Sequence, residues 1–237
     1  MTSLLSFDQV AKSHWRGAHE VPVLRDVSFT LAAGELVAVW GSRGTGKSTL
    51  MRLAIGSEKP DSGTVSFRGR PVAFPDDLHR GIGWVRRRGP RTEELHDVAD
   101  FVSMPLIGTE PRQKARRRAL AALGRIGVAD CAGARWHELS DGQRTPVAIA
   151  HALVREPKLL VIDDPTASLN VLQSEETMRF LRIVTDEDQI GVLVAMPEMP
   201  TSHVDRLGML SATRLVFPPP TEHTDNVLDF PDRQQSA

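Results

Sequence analysis

The chain has 237 residues, of which 41% are hydrophobic and 25% charged, and these ordinary globular values allow a full hydrophobic core. Its formal net charge of -1 argues against a strongly electrostatic partner such as bulk nucleic acid. A single cysteine, Cys131, excludes an internal disulfide and indicates a reducing compartment, where we expect it to pack as a small buried residue.

The first third of the chain predicts short strands on both sides of a glycine-rich loop. The N-terminus lacks the basic flank and apolar run of a signal peptide, and no apolar run approaches the ~18 residues of a spanning helix, so we expect any membrane role to come through a partner. Strands are predicted at residues 4–10 and 21–31, with a turn at 14–17 between them. Further short strands at 64–67 and 82–85 favour an antiparallel meander.

The middle of the chain has helical periodicity at residues 93–107 and 111–126, which predicts a helical subdomain inserted into an α/β core. Basic side chains lie on its polar face, among them Arg112, Lys114 and residues 116–118. They could form a patch for nucleic acid or lipid, or simply a solvated helix face. The near-zero net charge favours the solvated face.

The last third returns to alternating strands and helices. After a predicted helix at 143–155, the apolar run at 158–164 fits a strand that is buried on both faces of a parallel sheet. A helix at 171–185 and strands at 190–196 and 207–210 complete the pattern. Residues 217–237 are rich in proline and polar side chains, so we expect a mobile tail.

The glycine-rich loop carries the strongest chemical signal, because it fits the phosphate-binding pattern G-x-x-x-x-G-K-[ST] between a predicted strand and a predicted helix. Its glycines let backbone N–H groups turn toward a phosphate, and the helix adds the positive end of its dipole. Lys47 is expected to reach the β- and γ-phosphates, and the Ser48 hydroxyl to bind Mg²⁺. A turn that only joins a strand to a helix is the alternative, which these flanks disfavour. The predicted nucleotide contacts are Gly41, Ser42, Arg43, Gly44, Thr45, Gly46, Lys47, Ser48 and Thr49.

Four motifs in fixed order make the chain resemble the ATP-binding cassette (ABC) ATPases, the nucleotide-binding subunits of ABC transporters. They are the P-loop at 41–49, the signature-like segment LSDGQ at 139–143, the carboxylate strand at 159–164 and the segment PTASLN at 165–170. The resemblance implies an α/β fold, a P-loop NTPase (RecA-like) core with an antiparallel β subdomain and an inserted α-helical subdomain. It covers one ATP-binding domain at 1–216, with the helical subdomain at about residues 90–155. Two short strings, VPVLRDVS and VSMPL, look most like the lipoprotein-release and macrolide-export type.

The resemblance also implies a two-subunit mechanism. Members of this family enclose two ATP molecules between two subunits, each ATP lying between the P-loop of one subunit and the signature of the other, and closure drives a membrane permease. By this resemblance Asp163 would hold Mg²⁺ through water, and Ser140, Gly142 and Gln143 would contact the γ-phosphate in the opposite subunit. The expected cofactors are therefore ATP and Mg. The expected partners are a permease and a second ABC subunit, in a homodimer or heterodimer on the cytoplasmic face of the cell membrane, with no nucleic acid.

An aromatic side chain is expected to stack on adenine, as it does in this family. His14 or Trp15 falls at that place in the sequence. Trp15 offers the larger π surface, and a simple packing role is the alternative.

The chain departs from the family pattern at residues that position water and sense the γ-phosphate. Arg86 or Arg87 stands where the family has a glutamine, and Pro197 stands where it has a histidine. Asp164 replaces a glutamate base, which draws the carboxylate back by about 1.5 Å, one C–C bond. Misplacements of that order can cost ~10²-fold in rate. Asn170 replaces an aspartate of the loop that crosses between subunits.

These departures predict a subunit that binds MgATP but hydrolyses it weakly or not at all, with Asp164 as a weak candidate base. The chain would act as one half of an ATPase dimer that drives or regulates a permease. Two alternatives stay open at this point. One is a homodimeric transport ATPase that uses Asp164, and the other is a non-hydrolysing, ATP-gated regulatory or assembly protein.

Overall fold

The computed structural model describes residues 3–72, 74–75, 81–85, 97–166, 169–199 and 203–218. Within them the strands are β1 (Leu5–Arg16), β2 (His19–Leu31), β3 (Leu36–Trp40), β4 (Ser62–Phe67), β5 (Arg70–Pro71), β6 (Ile82–Val85), β7 (Leu159–Asp163), β8 (Gly191–Met196), β9 (Arg206–Ser211) and β10 (Arg214–Val216). The α-helices are α1 (Lys47–Ala54), α2 (Val98–Ser103), α3 (Arg112–Arg125), α4 (Asp141–Leu153) and α5 (Val171–Asp188). Short 3-10 turns lie at Met104–Leu106, Ala129–Cys131 and Trp136–Glu138.

The core sheet has the strand order β10-β9-β3-β8-β7-β6, in which only the β10–β9 pair is antiparallel among the described residues. Strands β3, β7 and β8 are almost wholly buried, because helices and the second sheet cover their two faces. The predicted strand at 158–164 is confirmed. Trp40 pairs with Met196, and Asp163 pairs with Ala195, so the carboxyl ends of β3, β8 and β7 meet at one edge.

The second sheet is antiparallel, with the order β2-β1-β4-β5, and it shares a hydrophobic cluster with α1 and the core sheet. The predicted antiparallel subdomain is therefore confirmed, but the predicted turn at 14–17 is wrong. Pairing of His14 with Val21 and of Trp15 with Glu20 carries the hairpin on to Arg16. Only a two-residue turn containing Gly17, at φ 62°, then reverses the chain.

The helical subdomain has a hydrophobic cluster of its own, formed by α2, α3 and α4. Cys131 is buried in this cluster, as predicted, and burial raises the pKa of its thiol. Of the predicted helix at 93–107, the described part includes α2, which begins at Val98, where Asp97 caps it by accepting a hydrogen bond from the backbone N–H of Asp100. Residues 86–96, including Arg86 and Arg87, lie outside the described residues.

Two of the arginines on α3 form ion pairs within the subdomain. Arg116 lies 2.7 Å from carboxylate oxygens of both Asp97 and Asp100, and Arg118 lies 2.6 Å from Glu110 and 2.7 Å from Glu156. The positive charges of Arg116 and Arg118 are therefore neutralised by carboxylates of the same chain. This balance supports the solvated helix face over a patch for nucleic acid or lipid.

Ordered packing extends to Phe217, the first residue of the predicted tail. Its ring centroid lies 5.6 Å from that of Phe29, and the Arg206 guanidinium lies 4.5 Å from its centroid. Residues 219–237, to which the prediction of a mobile tail mainly applies, are outside the described part of the chain. Among the helices that the structure describes, none has the length and apolar character needed to cross a bilayer.

Candidate functional site

The P-loop begins directly after β3 and is packed so closely that two of its glycines have no room for a side chain. A Cβ at Gly41 would lie 2.5 Å from the carbonyl oxygen of Leu210, and a Cβ at Gly46 would lie 2.7 Å from Cγ1 of Val23. Gly46 also has φ 107°, in the left-handed region that favours glycine. The glycine pattern that the sequence shows is therefore required by this backbone.

Helix α1 starts without a side-chain cap, since its N-cap residue is Gly46. The first N–H groups of a helix have no acceptor inside the helix, and these are left for another acceptor. Together with the nearby ammonium group of Lys47, they form a donor set suited to the oxygens of a nucleotide phosphate.

Lys47 is the centre of the site. Its side chain is folded onto the loop, where Nζ donates hydrogen bonds to the carbonyl oxygens of Gly41 at 2.5 Å and Ser42 at 2.8 Å. Burial lowers the pKa of Lys47, while the carboxylates of Asp164 and Asp163 act in the opposite direction. The charges of the two acidic residues therefore act on the P-loop lysine, and the roles predicted for these three residues stay predictions.

The other polar residues of the loop differ in how free they are to contact a ligand. Ser42, Arg43 and Ser48 are exposed, and Thr45 donates its hydroxyl to the Ser42 carbonyl at 2.9 Å. Thr49 is only 3% exposed, and its hydroxyl accepts a hydrogen bond from Nη2 of Arg52 at 3.0 Å. The Thr49 hydroxyl keeps its own proton for donation, but its burial limits access to a nucleotide.

The two carboxylates follow one another at the end of β7. Asp163 is the last residue of the strand, where the prediction placed a ligand to Mg²⁺ through water. Asp164 adopts φ 57°, and its backbone N–H donates to the Ala195 carbonyl at 2.9 Å. This bond fixes the backbone of Asp164 to the neighbouring strand, so the reach of its carboxylate depends on a short side chain alone.

The end of β8 contacts the start of the P-loop. The N–H of Gly41 donates to the Met196 carbonyl at 3.3 Å, and the indole Nε1 of Trp40 donates to the Pro197 carbonyl at 3.2 Å. Pro197 follows the strand and has neither a side-chain donor nor a backbone N–H. Among the described residues at this end of β8, the contacts to Trp40 and to the P-loop are made by carbonyl acceptors, and Pro197 adds no side-chain donor.

The signature segment lies at the start of α4, which packs against α2 and α3 in the helical subdomain. Ser140 and Gln143 bond to each other: the Ser140 N–H and hydroxyl donate to Oε1 of Gln143 at 3.0 and 3.1 Å. Between the residues that the structure describes, no hydrogen bond or ion pair connects this segment to the P-loop. The site residues predicted from the two motifs are therefore not brought together within one chain.

Gly142 of the signature lies against the first turn of α5. A Cβ there would be 2.3 Å from Nε2 of Gln173. Gln173 in turn forms a capping box with Asn170, whose N–H donates to Oε1 of Gln173 at 3.2 Å and whose Oδ1 accepts from the Gln173 N–H at 2.9 Å. Sequence reasoning missed Gln173, although the spacing N-x-x-Q before a helix is a readable capping signal.

The β1–β2 hairpin borders the P-loop, because Val23 of β2 lies against Gly46. Trp15 is 70% exposed near the hairpin tip, and a stacking contact with adenine remains a prediction for it. His14 is held by Glu58, with 2.6 Å between Nε2 and Oε1. Burial raises the pKa of Glu58, but hydrogen bonds from Arg52 and His14 outweigh it, and the net shift is downward. No local sequence signal connects His14 with Glu58, which lies 44 residues away.

Comparison with known proteins agrees with this geometry. A family model described as ABC transporter matches residues 24–167. The chain is 33% identical over 230 residues to the macrolide export ATP-binding/permease protein MacB of Salmonella typhimurium, which covers 94% of this chain and 35% of that protein. It thus spans about a third of the length of such relatives. It is also 30% identical over 224 residues to the uncharacterized ABC transporter ATP-binding protein YvrO of Bacillus subtilis, covering 90% of this chain and 96% of that protein.

Solved structures of ABC cassettes have the same fold. The dimeric, post-hydrolysis ATP-binding cassette MJ0796 bound to ADP and Pi matches with a TM-score of 0.80 and 26% identity, over 89% of this chain and 96% of that one. The cbiO1 protein of Clostridium perfringens, part of the ABC transporter complex cbiONQ, matches with a TM-score of 0.78 and 28% identity, over 91% and 88%. The predicted P-loop NTPase core and the kinship with the macrolide-export type are confirmed. By fold, motifs and relatives, the chain belongs to the ABC transporter family as an ATP-binding cassette.

Proposed function

We propose that the chain is an ATP-binding subunit of a transporter complex that binds MgATP at its P-loop and hydrolyses it slowly or not at all. The observation that supports this proposal is a contrast within one site. A buried Lys47 lies in a complete phosphate loop and is influenced by two carboxylates, whereas Pro197, which follows β8, has no side-chain donor. Binding groups are present, and position 197 offers no donor for the γ-phosphate.

The described residues fit the nucleotide and its metal. Lys47 and the uncapped start of α1 provide donors for phosphate oxygens. Ser48 has an exposed hydroxyl, and Asp163 lies at the end of the neighbouring strand, so these two residues would hold Mg²⁺, directly and through water. The metal, when bound, neutralises phosphate charge.

Weak hydrolysis follows from the residues that replace the water-positioning set. Asp164 has the carboxylate needed of a base, but its backbone is tied to Ala195 and its side chain is one methylene shorter than glutamate. A catalytic carboxylate that is misplaced by about 1 Å can cost ~10²-fold in rate. Pro197 cannot donate to phosphate, and its carbonyl already accepts from the Trp40 indole.

A second cassette and a membrane permease are the proposed partners. The signature helix lies apart from the P-loop on this chain, so one copy cannot enclose a nucleotide between its own two motifs. The MJ0796 cassette is dimeric, cbiO1 is part of a transporter complex, and the macrolide export relatives carry a permease in the same protein. Through such a permease the chain would lie at the cytoplasmic face of the membrane.

Nucleotide binding is tested first, by calorimetric titration of the purified chain with MgATP. We expect saturable binding that Lys47→Ala weakens by roughly 100-fold, because several charge-assisted hydrogen bonds are lost at once. Lys114→Ala is the matched control, since Lys114 is an exposed lysine on α3. Equal affinities of the Lys47→Ala variant and the unchanged chain would exclude the P-loop as the binding site.

Hydrolysis is tested by restoring the family residues. The double variant Asp164→Glu, Pro197→His is expected to release phosphate on the order of 10²-fold faster than the unchanged chain, and each single variant less. Calorimetric MgATP binding and thermal unfolding of every variant serve as controls for folding. Rapid phosphate release by the unchanged chain alone would contradict the proposal.

A homodimeric ATPase is the second candidate, favoured by the carboxylate of Asp164, whose charge opposes the lowering of the Lys47 pKa by burial. It predicts phosphate release that rises more steeply than linearly with chain concentration and is lost in Asp164→Asn. Turnover that this variant leaves unchanged would remove Asp164 as a base.

A further inference from the structure

Three successive carbonyl groups at the end of β8 accept hydrogen bonds from the nucleotide site. The carbonyl of Ala195 accepts from the N–H of Asp164, that of Met196 from the N–H of Gly41, and that of Pro197 from the indole of Trp40. The first two bonds are backbone contacts that any side chains would allow. The third needs the ring N–H of a tryptophan at position 40.

The Trp40 bond lies one residue from the group that holds the P-loop lysine. The carbonyl of Gly41 accepts from Nζ of Lys47, and the N–H of the same residue is bound to Met196. Gly41 also has the Leu210 carbonyl against its Cα, because a Cβ there would lie 2.5 Å from that oxygen. Trp40 and Gly41 form the entrance of the P-loop. This entrance is thus held by β8, by β9 and by Lys47.

Lys47 gains a further acceptor when phosphate binds. An ammonium group has three donors, and two of them are used by the carbonyls of Gly41 and Ser42, while the residue is only 9% exposed. The third donor remains for a phosphate oxygen, and a shift of Nζ toward that oxygen lengthens its bonds to the loop carbonyls. The entrance of the loop then depends more strongly on its other fixed contacts, of which the Trp40 indole bond is the only one made by a side chain among those described above.

We propose that Trp40 is a positioning residue of this nucleotide site. Its indole fixes the entrance of the P-loop to the end of β8 while Lys47 bonds to phosphate. The inference rests on the proposed binding of MgATP at the P-loop. It adds a residue that touches neither the nucleotide nor the metal but sets the affinity for them.

The indole also provides a spectroscopic readout of its own role. The other tryptophans lie elsewhere: Trp15 near the hairpin tip, Trp84 on β6 and Trp136 in the helical subdomain. A chain carrying Trp15→Phe, Trp84→Phe and Trp136→Phe retains Trp40 as its single tryptophan. Rearrangement of the Gly41 carbonyl beside it changes the surroundings of the remaining indole.

The experiment is a titration with MgATP, followed by tryptophan emission and by calorimetry on the same samples. In the single-tryptophan chain we expect a saturable change of emission whose midpoint equals the calorimetric one, and no change when Lys47→Ala is added. In the otherwise unchanged chain, Trp40→Phe is expected to weaken MgATP binding about three- to tenfold, the effect of one lost hydrogen bond. Trp136→Phe is the matched control and is expected to leave the affinity unchanged.

Each result supports or overturns the positioning role of Trp40. Emission that stays flat while calorimetry shows binding, or a folded Trp40→Phe chain with unchanged affinity, overturns the role of Trp40 and leaves the proposed function standing. If Trp40→Phe fails to fold, the emission of the single-tryptophan chain decides alone. Absence of calorimetric binding in the unchanged chain overturns both proposals.

Discussion

The N-termini of two helices differ in whether their polar groups bond to side chains of the same first turn. Helix α1 follows the P-loop and begins at Gly46 without a side-chain cap, whereas α4 begins at Ser140, which is bonded to Gln143 of its own first turn. The first helix therefore leaves backbone donors for an external acceptor. The second satisfies part of its polar groups internally.

This difference indicates that the P-loop half of the site, more than the signature half, is arranged for ligand binding in an isolated chain. The P-loop half is arranged by its own backbone and by Lys47, and it needs only the nucleotide. In the proposed dimer, a γ-phosphate offered by another subunit would meet a signature whose Ser140 hydroxyl is already bonded to Gln143. Binding by one chain and closure of two chains would then be separable steps.

The largest effect is expected from Gly41→Ala, a substitution in the P-loop half. Gly41→Ala would place a Cβ 2.5 Å from the Leu210 carbonyl and 2.9 Å from Oγ1 of Thr45, and a backbone oxygen cannot move aside as a side chain can. We expect a loss of about 2–3 kcal/mol in the free energy of unfolding, the upper range for overpacking. Chemical denaturation measures it, and an unfolding midpoint equal to that of the unchanged chain would show that β9 yields at this point.

A smaller effect is expected in the signature half. Gly142→Ala would meet the side-chain amide of Gln173, which can swing away at the loss of its bond to the Asn170 N–H. We expect about 1 kcal/mol of destabilisation, the value of one hydrogen bond. In a Gln173→Ala background the same Gly142→Ala change is expected to cost close to nothing. Additive costs in this double-mutant cycle would contradict the contact.

The smallest effect is expected at Asp97, which caps α2, a helix that packs against the signature helix α4. A hydrogen bond from Arg116 lowers the pKa of Asp97 against the opposing effect of burial, so the charged form stabilises the fold. This contribution is present above about pH 4, the ordinary range of an aspartate, and is lost as the pH falls through the lowered pKa.

The corresponding variant is Asp97→Asn, which keeps the cap of α2 but cannot titrate. We expect less than about 1 kcal/mol of destabilisation near neutral pH, because Arg116 is partly exposed, and a flatter decline of unfolding free energy in acid. Unfolding curves at a series of pH values measure it. Parallel declines in the variant and the unchanged chain would assign the acid sensitivity to other groups.

The sequence predicts the P-loop and the carboxylate strand well, because local periodicity and glycine spacing determine both. The hairpin was predicted too short, since Gly17 and the exposed Trp15 resemble a longer turn, while the cross-strand pairing that extends β1 is not local. The Trp40–Pro197 bond joins residues 157 positions apart, and no single-sequence pattern specifies such a contact. The Asn170–Gln173 capping box was readable, and only its contact with Gly142 required the fold.

Asp164 occupies a backbone conformation that limits its possible replacements. At φ 57° aspartate and asparagine are tolerated better than longer side chains, because their short polar groups bond locally. A return to glutamate would therefore gain a better-placed carboxylate but introduce local backbone strain. The gain in rate expected of Asp164→Glu is therefore reduced by the cost of this backbone conformation.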